Sequence, residues 1–178
     1  MISAQAKDSV ERIFFNAART RLVSDGSACA IVPASGDARP APRDSHAVVL
    51  TISSLHFRLL LALRFRDDDA TRAYFGATAQ RPIQDAFMEV ANLCCGAMNQ
   101  ALIEHFPDLG MSTPYLLGSS ASIDAMHALA PHHLAAFDVT VGDAVRLGAT
   151  LCICANAPVD FYAQDTAAVE SGGELELF

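Results

Sequence analysis

The stretch that most limits what this chain can fold into runs from Arg81 to His105, RPIQDAFMEVANLCCGAMNQALIEH. At about 100° per residue it gathers Ile83, Phe87, Val90, Ala91, Cys94, Met98 and Ala101 on one side. Pro82 suits the first helical position, where its missing N–H is no loss. The pattern predicts one long helix over 81–105, and its apolar side demands a second layer to lie against. The opposite side is polar: Asp85, Glu89, Asn92 and Gly96 fall at i, i+4, i+7 and i+11. It presents two carboxylates, a carboxamide and a glycine. Glycine inside a helix costs about 1 kcal/mol against alanine, and close approach of another backbone is one reason to keep it.

The remainder of the chain supplies a layer for that helix to cover. Residues 4–23 read as a first long helix with Val10, Ile13, Phe14, Ala17 and Leu22 on its apolar side, stopped by Asp25-Gly26. A short strand follows over 27–32, then a Pro/Gly/Ser-rich loop over 33–45. Residues 46–53 and 55–65 read as a hairpin whose second strand is apolar enough to be covered on both faces. Asp67, Asp68 and Asp69 then start a short helix reaching about Phe75, where negative charge complements the helix dipole. After the central helix, residues 112–118 read as a strand; Pro114 within it marks an edge or a bulge. Residues 119–129 suit a short helix or turn, and 130–141 with 144–155 form a final hairpin turned at Gly142-Asp143.

Both halves thus share one grammar: long helix, short strand, linker, hairpin. This predicts an α+β fold with an internal pseudo-two-fold repeat, a mostly antiparallel sheet and two long helices packed against it. Residues 1–155 form the domain. Residues 156–178 read as an acidic, flexible C-terminal tail ending in ELELF, either a solubilising end or a docking peptide.

Charge and composition narrow the function. The formal charge is −8 with a single lysine, Lys7, so there is no basic stripe for nucleic acid and no attraction to an anionic bilayer. The longest aliphatic run, Leu59–Leu63, is too short to span a membrane. No apolar leader precedes Lys7, Asp8 and Glu11, which predicts a cytoplasmic protein. Five cysteines lack C-x2-C spacing and sit among apolar neighbours, as buried reduced thiols do. No metal site is predicted: His127, His132 and His133 lie in an alanine-rich stretch and read as surface histidines. Neither a G-x-S-x-G elbow nor a phosphate-binding glycine loop is present.

Asp85-x3-Glu89-x2-Asn92, with Gly96 four residues on and Pro114 after 21 intervening residues, resembles the signature of the CheC/CheX/FliY family of chemotaxis phosphatases. The two-half order of elements resembles that family over most of residues 1–155. Some members carry the motif on both helices. Here Ser9 and Asn16 stand at the matching interval on the first helix, but Ile13 replaces the carboxylate and Pro40 and Pro42 are displaced. A single site, as in the CheX-like branch, is therefore expected.

The resemblance implies hydrolysis of the aspartyl phosphate on a CheY-type response regulator, in chemotaxis or related two-component signalling. Asn92 would orient the attacking water, since a carboxamide both donates and accepts. Glu89 would pair with the receiver's lysine. Asp85, Gly96 and Pro114 would serve partner binding: the first by docking, the second by letting the receiver approach, the third by shaping the adjoining strand. No cofactor of the chain's own is implied, Mg²⁺ being supplied by the receiver. The resemblance further implies a homodimer and raises a CheD-like regulator as another partner. The alternative reading is a non-catalytic module of the same fold that binds or scaffolds a receiver.

Overall fold

The computed structural model describes residues 1–23, 25–34, 45–118 and 126–164. Most of the 33–45 loop, residues 119–125 and the tail from residue 165 lie outside the described residues.

Helix α1 spans Ala4–Arg21. The Ser3 hydroxyl accepts from the Ala6 N–H at 3.0 Å, capping one of the amides a helix start leaves unpaired. Arg19 and Arg21 in the last turn complement the negative end of the dipole. Strand β1 (Cys29–Pro33) starts later than the sequence pattern predicts, because the Asp25 carboxylate accepts from the Ser27 N–H and holds 25–27 in a turn.

Strands β2 (Ser45–Ser53) and β3 (Phe57–Arg66) form the first hairpin. Asp108, from a distant loop, clamps its turn by accepting from the Leu55 N–H at 2.7 Å and the Ser54 hydroxyl at 3.1 Å. Helix α2 (Asp69–Tyr74) is started as the three aspartates suggest. Asp68 caps it by accepting from the Thr71 N–H at 2.9 Å, and Asp67 pairs with Arg72 at 2.6 Å. The Thr71 amide holds the Asp68 carboxyl below its ordinary range.

Helix α3 spans Ile83–Ile103, two residues inside the predicted stretch at each end. Pro82 is extended at ψ 153° and is the cap residue rather than the first helical one; its carbonyl accepts from the Ala86 N–H. The predicted strand over 112–118 is split into β4 (Gly110–Met111) and β5 (Tyr115–Gly118). Pro114 lies in the break, where a residue without an N–H interrupts the ladder. Strands β6 (His133–Val141) and β7 (Val145–Ala155) close the chain's second hairpin.

The strands form one antiparallel sheet ordered β1-β6-β7-β3-β2-β4, with β5 also paired to β2. Exchanging β1 with β5, β2 with β6 and β3 with β7 reverses the order onto itself. Each half therefore lends its short strand to the other half's hairpin, and the pseudo-two-fold relation passes between β3 and β7.

Both long helices pack on one sheet face. Leu50, Ile52, Leu59, Leu61, Leu63 and Leu151 are fully buried beneath them. Phe87 of α3 lies 4.2 Å, ring to ring, from Phe65, and Phe14 of α1 lies 5.7 Å from Phe137. Val49, Ala62, Met126 and Cys152 form a smaller cluster separate from the main core. All five cysteines are free thiols. Burial pushes Cys95 up to about 12 and Cys152 up to about 11, so these thiols pack as small apolar groups.

The opening of the predicted flexible tail is packed. Val159, Phe161 and Ala163 are buried, Val159 pairs with Ile2, and Phe161 meets Phe106 at 5.3 Å. Residues 156–164 thus form a strap along α1. Its backbone bonds to Met1 and Ser3 at Val159 and to Ser9 at Phe161 and Ala163, a role composition could not show.

Candidate functional site

Helix α3 buries Ile83, Ala86, Phe87, Ala91, Cys94, Cys95, Met98 and Leu102. The remaining arc faces outward. Asp85 and Glu89 are exposed there, and Asn92 and Gly96 are partly exposed. Four of the five sequence-predicted site residues therefore share one helix face. Pro114 belongs to a different element, the broken edge strand. The Asn92 carboxamide has no side-chain hydrogen bond among the described residues. Among the described residues, a Cβ built at Gly96 meets nothing within 4 Å, so their packing does not require the glycine.

Two features of this face escaped the sequence pattern. Leu93 is 49% exposed, between Asn92 and Gly96 on the helix, and gives the polar face an apolar anchor. Arg81, just ahead of the helix, reaches eight residues along it and places Nη2 2.5 Å from Glu89 Oε2. Both partners are open to solvent, the Glu89 side chain by 66%. Such a pair is not visible in i, i+4 spacing. It depends on a turn at Thr78–Arg81, in which the Thr78 N–H donates to the Arg81 carbonyl at 2.9 Å and the Arg81 N–H donates back at 3.2 Å.

Of the corresponding positions on α1, Ser9 and Ile13 are buried and Asn16 is partly exposed. Ser9 is fully buried, donates to the Gln5 carbonyl at 2.7 Å and accepts from the Ala163 N–H at 3.1 Å. Ile13 lies in the core. The strap over α1 therefore covers Ser9, the position at which a second motif would begin. Of the three histidines read as surface residues, His127 and His132 are exposed and His133 differs. His133 Nε2 is 2.9 Å from Glu11 Oε1 and the side chain is largely buried, while His132 Nδ1 accepts from the Ala155 N–H at 3.1 Å. Among the described residues, no group of three His, Cys, Asp or Glu side chains is placed to hold a metal ion, and no helix is long and apolar enough to cross a membrane.

An uncovered carboxylate and carboxamide on one rigid helix can engage a charged group and a water on a partner.

No protein-family model matches the chain, and no curated protein sequence matches it. Solved structures do. The chemotaxis protein CheX from Vibrio vulnificus superposes with a TM-score of 0.53 at 14% identity, over 82% of this chain and 97% of that one. CheX from Desulfovibrio desulfuricans gives 0.53 at 17% identity, over 81% and 98%. A chain of the CheX–CheY–BeF3–Mg²⁺ complex from Borrelia burgdorferi gives 0.54 at 8% identity, over 83% and 96%. Together with the helix pair, the antiparallel sheet and the exchanged short strands, these matches show that the chain has the fold of the CheX and CheC-like chemotaxis proteins.

Proposed function

We propose that the protein is a phosphatase for the aspartyl phosphate of a CheY-type response regulator, acting in the cytoplasm in chemotaxis or related two-component signalling. The observation that carries this reading is the outward placement of Glu89 and Asn92 on one face of α3, with the Asn92 amide uncommitted among the described residues. The match to a chain from a CheX–CheY complex supports a receiver as the kind of partner.

Phosphoryl transfer calls for positioning and charge stabilisation more than covalent help. A receiver brings its own Mg²⁺ and lysine, so this chain contributes no metal. Glu89 pairs with that lysine and fixes the register of α3 on the receiver. Asn92 lies three residues further along and enters the phosphorylated pocket, where its amide donates to and accepts from a water and aims it at phosphorus. Asp85 lies one turn ahead of Glu89 and meets the rim of the receiver. Gly96 lets the receiver's backbone come close to the helix. Pro114 breaks the edge strand near which the receiver's flank rests.

The same proposal includes a homodimer. Strand β5 lies at a sheet edge and exposes Tyr115, Leu116 and Leu117, a surface suited to pairing across a two-fold axis. A CheD-like protein is a further candidate partner.

The test follows phosphate release from a panel of acetyl-phosphate-charged receiver domains. Wild type is expected to accelerate release from its cognate receiver, and Asn92→Ala to lose about a hundred-fold or more of that acceleration, the scale on which a positioned catalytic group contributes. Binding without turnover in wild type would select the scaffold reading instead. No acceleration and no binding with any receiver would end both.

A further inference from the structure

The cation that this reading brings to Glu89 comes from the partner, yet in the free chain Glu89 already holds one. Arg81 Nη2 lies 2.5 Å from Glu89 Oε2. The contact is built from more than proximity. Arg81 precedes the helix, so its backbone is placed not by α3 but by the Thr78–Arg81 turn. Reciprocal main-chain bonds link Thr78 and Arg81, and the Thr78 hydroxyl accepts from the Arg81 N–H at 3.1 Å. From that anchor the side chain runs beside two turns of α3 to reach Glu89. Asp85 and Glu89, at i and i+4, are like charges that repel on a helix surface. A guanidinium on Glu89 relieves that repulsion while the face is empty.

We propose that Arg81 is a placeholder for the partner's ammonium: it occupies the Glu89 carboxylate in the free protein and is displaced when a receiver lysine docks. This rests on the reading of the site given above and deepens it. Docking is then an exchange of one cation for another at Glu89. Part of the attraction between Glu89 and the receiver is offset by the pair that must open. Receivers that present no ammonium to Glu89 gain nothing from opening it, so Arg81 sharpens the choice of partner. An exposed pair can be opened for this purpose because both side chains remain solvated and little is lost when they separate. A buried pair would be far costlier to break.

The experiment measures phosphate release by wild type, Arg81→Gln and Arg81→Lys. The substrates are the receiver selected by the panel above and the same receiver with its active-site lysine replaced by glutamine. Arg81→Gln is expected to lower KM for the lysine-bearing receiver by about two- to five-fold, the range an exposed ion pair supplies. The effect falls on KM rather than on kcat. Arg81→Lys, which keeps the positive charge, is expected to restore much of the wild-type KM. With the lysine-less receiver, Arg81→Gln is expected to give no gain.

An unchanged or raised KM in Arg81→Gln would overturn the placeholder, as would an equal gain with both receivers. If Asn92→Ala loses turnover while Arg81→Gln leaves KM where it was, the reading of the site stands and only the placeholder falls. If wild type accelerates no receiver at all, the reading itself fails and this inference falls with it.

Discussion

Ser9 and Asp85 open the same spacing on the two long helices, and they meet opposite fates. The Ser9 hydroxyl is occupied by the chain's own backbone, between the Gln5 carbonyl and the Ala163 N–H. Asp85 is open to solvent. Four residues on, the contrast repeats: Ile13 is in the core and Glu89 is outside it. A single hydroxyl can thus be structural where its counterpart carboxylate is free to meet a partner. Ser9→Ala removes the acceptor for a buried amide, so it is expected to destabilise the fold by about 1–3 kcal/mol. Denaturant unfolding measures the loss, and hydrogen exchange at Ala163 should accelerate with it. The proposed phosphatase activity should not move apart from stability. A variant as stable as wild type would show that the strap is not held by Ser9.

Helix α3 is where element-level physics and the proposed function pull against each other. Its buried face is continuous, and its sequence periodicity was sufficient to locate it. Gly96 is the discordant residue: it sits in the helix interior with no neighbour among the described residues within 4 Å of where a Cβ would stand. Gly96→Ala is therefore expected to stabilise the protein by up to about 1 kcal/mol, through helix propensity and a less flexible unfolded chain. In the same variant KM for the receiver should rise, because the added methyl holds the partner's backbone away. Thermal unfolding and receiver titration on one sample test both halves. A stabilised variant with undiminished activity would show that the glycine does not serve docking. The strap over α1 acts as the counterpart of this open face. It covers Ser9, where a second motif would begin on α1.

At the scale of the whole molecule, the exchanged short strands tie the two halves together. β1 pairs with β6 and β5 pairs with β2, so neither half completes its sheet alone. The two ends of the sheet are not alike. β5 carries three exposed large side chains, Tyr115 among them at 56%. Leu116→Lys on this edge is expected to convert the proposed homodimer to a monomer with little change in fold stability. Light scattering reads the result directly against the 18.9 kDa chain mass. A monomeric wild type would remove the dimer from the proposal and leave the site on α3 untouched.

Periodicity and turn chemistry determined the element order by themselves. Both long helices, the two hairpins, the Asp68 cap and the turn at Gly142 follow from local rules, since side-chain spacing and the φ preferences of glycine and proline act within a few residues. The outward face of Asp85, Glu89, Asn92 and Gly96 was likewise legible, because the apolar residues of α3 left it only one way to turn. Tertiary structure decided the contacts that join residues far apart in the chain. Asp108 clamps the first hairpin turn from over fifty residues away, and Ala163 reaches Ser9 across more than a hundred and fifty. The packing of the strap, the partners of His132 and His133, and the guanidinium laid on Glu89 are of this kind. No spacing rule encodes them, because each depends on where the sheet brings two separate segments, or on how a turn aims one side chain along a helix.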